Sequence, residues 1–363
     1  MTIATDFPLP PSWVLEKLRQ GTAIPAHPLA LDADGRFNER FQRALTRYYA
    51  AAGAGGVAVG VHTTQFEIRD PEIGLFEPVL RTAAETLDHV ESSGGGGPKL
   101  VRIAGINGPT KQAVAEAELA SGLGYHVGLL SLKALKEANN EQLIEHSQAV
   151  ASVLPVMGFY LQPAVGGRRL DLGFWRRFSQ IPNVVGIKMA PFNRYQTLDV
   201  VRGVAEAGRA GDIALYTGND DNIVVDLLTQ YDLHAGGKVV SQRIVGGLLG
   251  HWAVWTKAAA RVHRRCRDVS RGNDPVPQDL LTLNVQVTDM NAAVFDVAHD
   301  YAGVIAGVQH VLYGQGLLPS ERCLNPREVL SPGQAEELAR VRAAYPHLID
   351  DDFVAEHRDA WLR

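Results

Sequence analysis

The chain has 363 residues, 46% of them hydrophobic and 21% charged, with a formal net charge of −5. This is ordinary globular composition, long enough for one large α/β domain or two average ones, and the acidic balance gives no electrostatic reason to expect nucleic acid. Only two cysteines, Cys266 and Cys323, occur, which suits a reducing cytoplasmic setting. The opening Met1-Thr2-Ile3-Ala4-Thr5-Asp6 lacks the pattern of a signal peptide, and no apolar run reaches the roughly 18 residues of a membrane span.

In chain order, apolar runs predict strands at 23–31, 56–62, 100–106, 127–132, 156–162, 184–189, 213–217 and 237–241. Most are rich in Val, Ile and Leu without strict alternation, the pattern of parallel strands covered on both faces. Helical segments separate them. Phe37, Phe41, Leu45 and Tyr48 share one helical face. Asn139-Asn140-Glu141 opens a helix carrying Leu143, Ile144, Val150 and Val153. Asn219-Asp220-Asp221 is expected to cap a helix bearing Ile223, Val224 and Leu227. The glycine-rich stretch at 92–98 reads as a surface loop.

Eight alternating strands and helices predict a (β/α)8 TIM barrel over residues 23–270, preceded by an N-terminal segment, 1–22. An open doubly wound sheet is the alternative, but no G-x-G-x-x-G turn follows the first strand. Residues 271–363 read as a helical extension packed on the barrel. Its apolar face begins at Leu281, Leu283, Val285, Val287, Met290, Ala293 and Val294 and is expected to continue past Tyr301. A final helix opens at Ser331-Pro332-Gly333-Gln334.

Lys188 stands in the apolar run Val184-Val185-Gly186-Ile187-Lys188-Met189-Ala190, 28 residues (188 − 160) after Tyr160. Burial disfavours the ammonium form, and a neutral amine attacks carbonyl carbon. A tyrosine hydroxyl within reach could shuttle the protons of imine formation. In a barrel such groups come from the C-terminal ends of different strands. His62, Thr63 and Thr64 end the second run and Ser241 the eighth. The basic cluster from Arg261 to Arg271 is interrupted by Asp268 and reads as a solvated or intersubunit face. There is no H-E-x-x-H and no Cys/His ligand spacing, so neither metal nor nucleotide cofactor is expected.

These pieces resemble the dihydrodipicolinate synthase / N-acetylneuraminate lyase family of class I aldolases. The resemblance rests on Asp34-Gly35-Arg36-Phe37, Gly60-Val61-His62-Thr63-Thr64, Ala104-Gly105-Ile106-Asn107, Tyr160-Leu161-Gln162-Pro163, Gly186-Ile187-Lys188, Tyr216-Thr217-Gly218-Asn219-Asp220 and Val239-Val240-Ser241. It implies a Schiff base between Lys188 and pyruvate or a related 2-oxo acid, with proton relay by Tyr160. Thr63 and Thr64 would hold the carboxylate, and His62 and Ser241 would line the pocket. A homo-oligomer, dimer or tetramer, is also implied.

The chain departs from the family pattern in three places. His62 replaces a glycine. Ser131-Leu132-Lys133-Ala134-Leu135 lacks the family's tyrosine pair. Arg168 lies farther from Pro163 than the arginine expected to bind a second carboxylate. The synthase reaction is therefore disfavoured. A dehydratase or hydratase-aldolase acting on a keto sugar acid or an aryl-pyruvate is an alternative, as is a barrel that binds a 2-oxo acid without turnover.

Overall fold

The structure, a computed structural model, describes residues 7–93, 97–272 and 274–363. The opening hexapeptide and the middle of the glycine-rich loop, residues 94–96, lie outside the described residues.

Helix α1 (Ser12–Gln20) comes first. Its buried Val14 and Leu18 enter the apolar cluster inside the barrel, and the Leu18 carbonyl accepts the Tyr216 hydroxyl at 3.0 Å. The helix thus floors the barrel. The strands β1 (Ala23–Pro25), β2 (Gly56–Val59), β3 (Val101–Ile106), β4 (Val127–Ser131), β5 (Val156–Leu161), β6 (Val184–Ala190) and β7 (Ala214–Thr217) follow, with β8 (Gln230–Ala235) and the long β9 (Lys238–Leu249). Their order is β1-β9-β7-β6-β5-β4-β3-β2, with every neighbouring pair parallel. A parallel bridge between Ala26 and Ala58 closes the ring.

Helices α2 (Glu39–Ala52), α3 (Phe76–Ser92), α4 (Thr110–Gly122), α5 (Asn140–Ala151), α6 (Leu172–Phe178), α7 (Arg194–Glu206), α8 (Ile223–Leu228) and α9 (Thr256–Arg271) form the outer layer. Local capping fixes several of their starts. Asn38 accepts the Phe41 amide at 3.2 Å, and Asn139 and Gln142 form a reciprocal capping box. Side chains alternate between two apolar layers. Ile103, Leu129, Met157 and Phe159 point into the barrel, while Tyr160, Ile187 and Met189 face the helices.

Two expectations need correction. The run at 237–241 is not the eighth barrel strand. It is one arm of an antiparallel hairpin with β8, turning at Gly236-Gly237, and its side chains are largely exposed. The barrel strand is the later half of β9, where Ile244–Leu249 pairs with β7 and β1. A two-glycine turn between alternating runs is itself a hairpin signal.

The apolar face of α10 (Gln278–Val294) is also narrower than expected. Leu280, Leu283, Val287 and Met290 are buried, whereas Leu281 and Val285 are exposed. The helix ends before Tyr301, in a turn where Asp296, Asp300 and Tyr301 adopt positive φ of 55°, 52° and 67°. Helices α11 (Val304–Gly314), α12 (Gln334–Ala344) and α13 (Asp351–Trp361) complete the extension, and Gly333 lies just ahead of α12 rather than inside it.

Candidate active site

Lys188 lies near the C-terminal end of β6 and points inward, beside Phe159 on β5 and Tyr216 on β7 in the strand register. It is 8% exposed, with Nζ 4.3 Å from the centroid of the Phe159 ring. The loop after β7 wraps its stem. A Cβ on Gly218 would sit 2.7 Å from Lys188 Cε, so only glycine fits this close approach.

Two residues further on, Asp220 is buried. Its Oδ1 is buried without a hydrogen-bond partner. A network beneath holds this loop. The Thr217 hydroxyl donates to Asp226 at 2.7 Å, Asn219 donates to the same carboxylate at 3.0 Å, and the Phe192 amide donates to Asn219 Oδ1 at 3.1 Å.

Lys188 and Asp220 face one cavity that opens to solvent. Its other polar lining groups are His62, Thr63, Gln162 and Tyr301; the rest is mainly apolar, with Phe159, Leu161, Val165, Phe192, Phe295 and Val304. Burial pushes the Lys188 ammonium down to about 8, with Asp220 opposing the shift. Burial likewise pushes the Asp220 carboxyl up to about 8, with Lys188 opposing. An ion pair in such a cavity costs several kcal/mol per ion in desolvation. An amine beside a carboxylic acid carries the same number of protons without that cost. The imidazole of His62 is pushed down to about 4 by burial and then by Lys133 and Lys188, so it is neutral near pH 7.

Four expected site residues lie elsewhere. Tyr160 points away from the cavity; its hydroxyl donates to the Leu170 carbonyl at 3.1 Å and accepts the Leu170 amide at 3.2 Å, and its ring packs 5.3 Å from Trp175. The cause is a bulge in β6. Val156 pairs with Val184, but Met157 pairs with Gly186, so the offset between the strands grows from 28 to 29 (184 − 156; 186 − 157). Phe159, not Tyr160, then stands beside Lys188.

Thr64 turns inward on its own loop, donating to His27 O at 2.6 Å and accepting the Gly60 and Val61 amides at 3.0 and 3.2 Å. Ser241 is exposed on the hairpin, 2.6 Å from the Asp232 carboxylate; Gly250 follows the true eighth strand and lines the cavity. Arg168 clamps the loop after β4, donating to the Leu135 and Ala138 carbonyls, the latter at 2.8 Å. Thr63 does line the cavity, with its hydroxyl donating to Ala26 O at 2.8 Å.

The structure therefore brings together Lys188, His62 and Thr63 and adds Asp220, Gln162, Phe295, Tyr301 and Val304. Asp220 does not cap α8. The cap position is Asn222, and no side chain bonds there. Its place directly after an apolar strand was the usable signal. Among the described residues, no group of three or more His, Cys, Asp or Glu is placed to hold a metal.

The architecture is that of a (β/α)8 barrel with its reactive side chains gathered at the C-terminal ends of the strands. The chain belongs to the dihydrodipicolinate synthetase family, whose model matches residues 21–248. It is 31% identical over 159 residues to a probable 5-dehydro-4-deoxyglucarate dehydratase of Acinetobacter baumannii (strain AB307-0294), covering 43% of this chain. That match spans only about half, 48%, of the dehydratase. It is 27% identical to a 4-hydroxy-tetrahydrodipicolinate synthase of Nostoc sp., over 63% of this chain and 72% of that one. Among solved structures, a chloride-inhibited dihydrodipicolinate synthase from Acinetobacter baumannii, complexed with pyruvate, shares the fold. Its TM-score is 0.69 at 20% identity, over 90% of this chain and 98% of that one. No described helix is long and apolar enough to cross a membrane.

Proposed function

We propose that the chain is a class I aldolase-type lyase in which Lys188 forms a Schiff base with a 2-oxo acid. The observation that carries this reading is the buried Lys188–Asp220 pair in a largely apolar cavity. The amine lone pair attacks the keto carbon, and the resulting carbinolamine takes a proton from the Asp220 carboxyl. Its oxygen leaves as water as the C=N bond forms, and the cationic imine then faces the Asp220 carboxylate. That imine withdraws electrons from the adjacent carbon, so a neighbouring C–C bond breaks or forms through an enamine.

Asp220 takes the proton role expected of Tyr160, and His62 and Thr63 form the polar side where we seat the carboxylate. The chemistry needs no external cofactor, and the unpaired, buried Cys266 and Cys323 suit a reducing cytoplasm. Neither Arg168 nor a tyrosine at the end of β4 reaches the cavity, which disfavours the synthase reaction on the family pattern. Loss of water from the imine is a second reading, favoured by an acid at Asp220 and by the likeness to named dehydratases.

Borohydride reduction in the presence of pyruvate, followed by peptide mass spectrometry, tests the proposal. A pyruvate-derived adduct on Lys188, absent in Lys188→Ala, is expected. Folded protein that gives no adduct at Lys188 with pyruvate or any longer 2-oxo acid would refute it.

A further inference from the structure

We propose that the cavity selects a 2-oxo acid whose chain beyond the carbonyl ends in an apolar group, aryl or branched alkyl, seated against Phe295, Tyr301 and Val304. The inference rests on the imine reading to place the carbonyl at Lys188, and it goes further in naming what fills the rest of the space.

Three observations carry it. First, Lys188 is the only lysine or arginine among the described residues that line the cavity, and its nitrogen is taken up by the imine. A second carboxylate would find no further lysine or arginine in the lining and would face Asp220. A sugar-acid chain would bury hydroxyls against Leu161, Val165 and Phe192 with few partners. A buried polar group without partners is strongly disfavoured, so such substrates are rejected. Second, the cavity is open to solvent on one side, so an acid longer than three carbons can extend from Lys188 without meeting a closed wall.

Third, the outer wall is built from the extension and held firmly over the barrel mouth. Phe295 lies against the end of the eighth strand so closely that a Cβ on Gly250 would sit 2.9 Å from its Cζ. The turn that follows places Asp300 and Tyr301 in the left-handed region, which non-glycine residues adopt only when their surroundings impose it. The imposing group is Asp296. Its buried carboxylate takes the Gly303 amide at 2.9 Å, the His299 ring nitrogen at 2.6 Å and the Ser331 hydroxyl. Tyr301 in turn meets Phe192 edge to face, with ring centroids 5.9 Å apart, and Phe192 is itself left-handed, at φ 50°. Strain on both sides of the mouth thus presents an aromatic corner to whatever extends from Lys188.

The test is borohydride trapping at Lys188 across a concentration series of phenylpyruvate, 4-methyl-2-oxopentanoate and 2-oxoglutarate. The half-saturating concentration of the two apolar acids is expected to be at least tenfold below that of 2-oxoglutarate. That ratio should move toward one in Phe295→Ala and in the near-isosteric Val304→Thr, which guards against misfolding of the first variant. Equal or tighter saturation by 2-oxoglutarate, or an unchanged ratio in both folded variants, would overturn the proposal. Calorimetry on the unmodified protein with 3-phenylpropanoate and glutarate, which lack the carbonyl, separates the two claims. Preference for 3-phenylpropanoate without any adduct would sink the imine reading and leave the apolar cavity standing. Adducts without preference would do the reverse.

Discussion

Phe159 and Tyr160 are neighbours on β5, and Ile187 and Lys188 are neighbours on β6, yet each pair is divided between two environments. On the inner face, Phe159 and Lys188 share a cavity with the buried carboxyl of Asp220. On the outer face, Tyr160 closes its hydroxyl onto the Leu170 backbone and packs on Trp175. One pleat separates a position that can move protons to a substrate from one that holds a helix to a sheet. A spacing counted along the chain says nothing of this parity. The 28 residues from Tyr160 to Lys188 match the register at the start of the two strands, and the bulge at Val185 moves the match by one.

Substitutions on the two faces should therefore differ in kind. Lys188→Ala is expected to abolish adduct formation altogether, read by mass spectrometry after reduction. Asp220→Asn is expected to slow imine formation by about 10²- to 10⁴-fold, the usual worth of a positioned acid, measured by the trapping rate.

The pH profile sharpens the comparison. In the wild type the rate should rise as Lys188 loses its proton and fall as Asp220 loses its own, giving a bell centred near pH 8. Along the rising limb Asp220 is still the neutral acid, so Asp220→Asn should leave that limb close to its wild-type position and remove the falling one.

Tyr160→Phe acts on the outer face. It leaves the Leu170 backbone without its partner and should cost about 1 kcal/mol, lowering Tm by about 1 °C in a thermal scan. The trapping rate should stay within about twofold of wild type, since no reacting atom is touched. Ser241→Ala, on the exposed hairpin, should change stability by no more than about 0.5 kcal/mol and leave trapping alone.

The sequence revealed those features whose signals are local. Seven barrel strands show as continuous apolar runs because parallel strands are buried on both faces. Asn139 announces a helix start through a side chain that acts within three residues. Lys188 stands out because a lysine amid Val, Ile and Met is costly without a reason. The eighth strand was masked by a hairpin of similar composition just before it. Asp220 was masked because an aspartate ahead of a helix reads equally well as a cap, and only the fold shows Oδ1 buried without a partner. Phe295, Tyr301 and Val304 come from more than 100 residues beyond Lys188 (295 − 188 = 107). A left-handed turn aims them at the barrel mouth, and no periodicity encodes that.

The most direct measurement compares the borohydride trapping rates of Tyr160→Phe and Asp220→Asn side by side, with one 2-oxo acid at saturation. A near-wild-type rate in Tyr160→Phe and at least a hundredfold loss in Asp220→Asn is the predicted result. The opposite order, with Tyr160→Phe slow and Asp220→Asn unaffected, would contradict the assignment of proton transfer to the inner face.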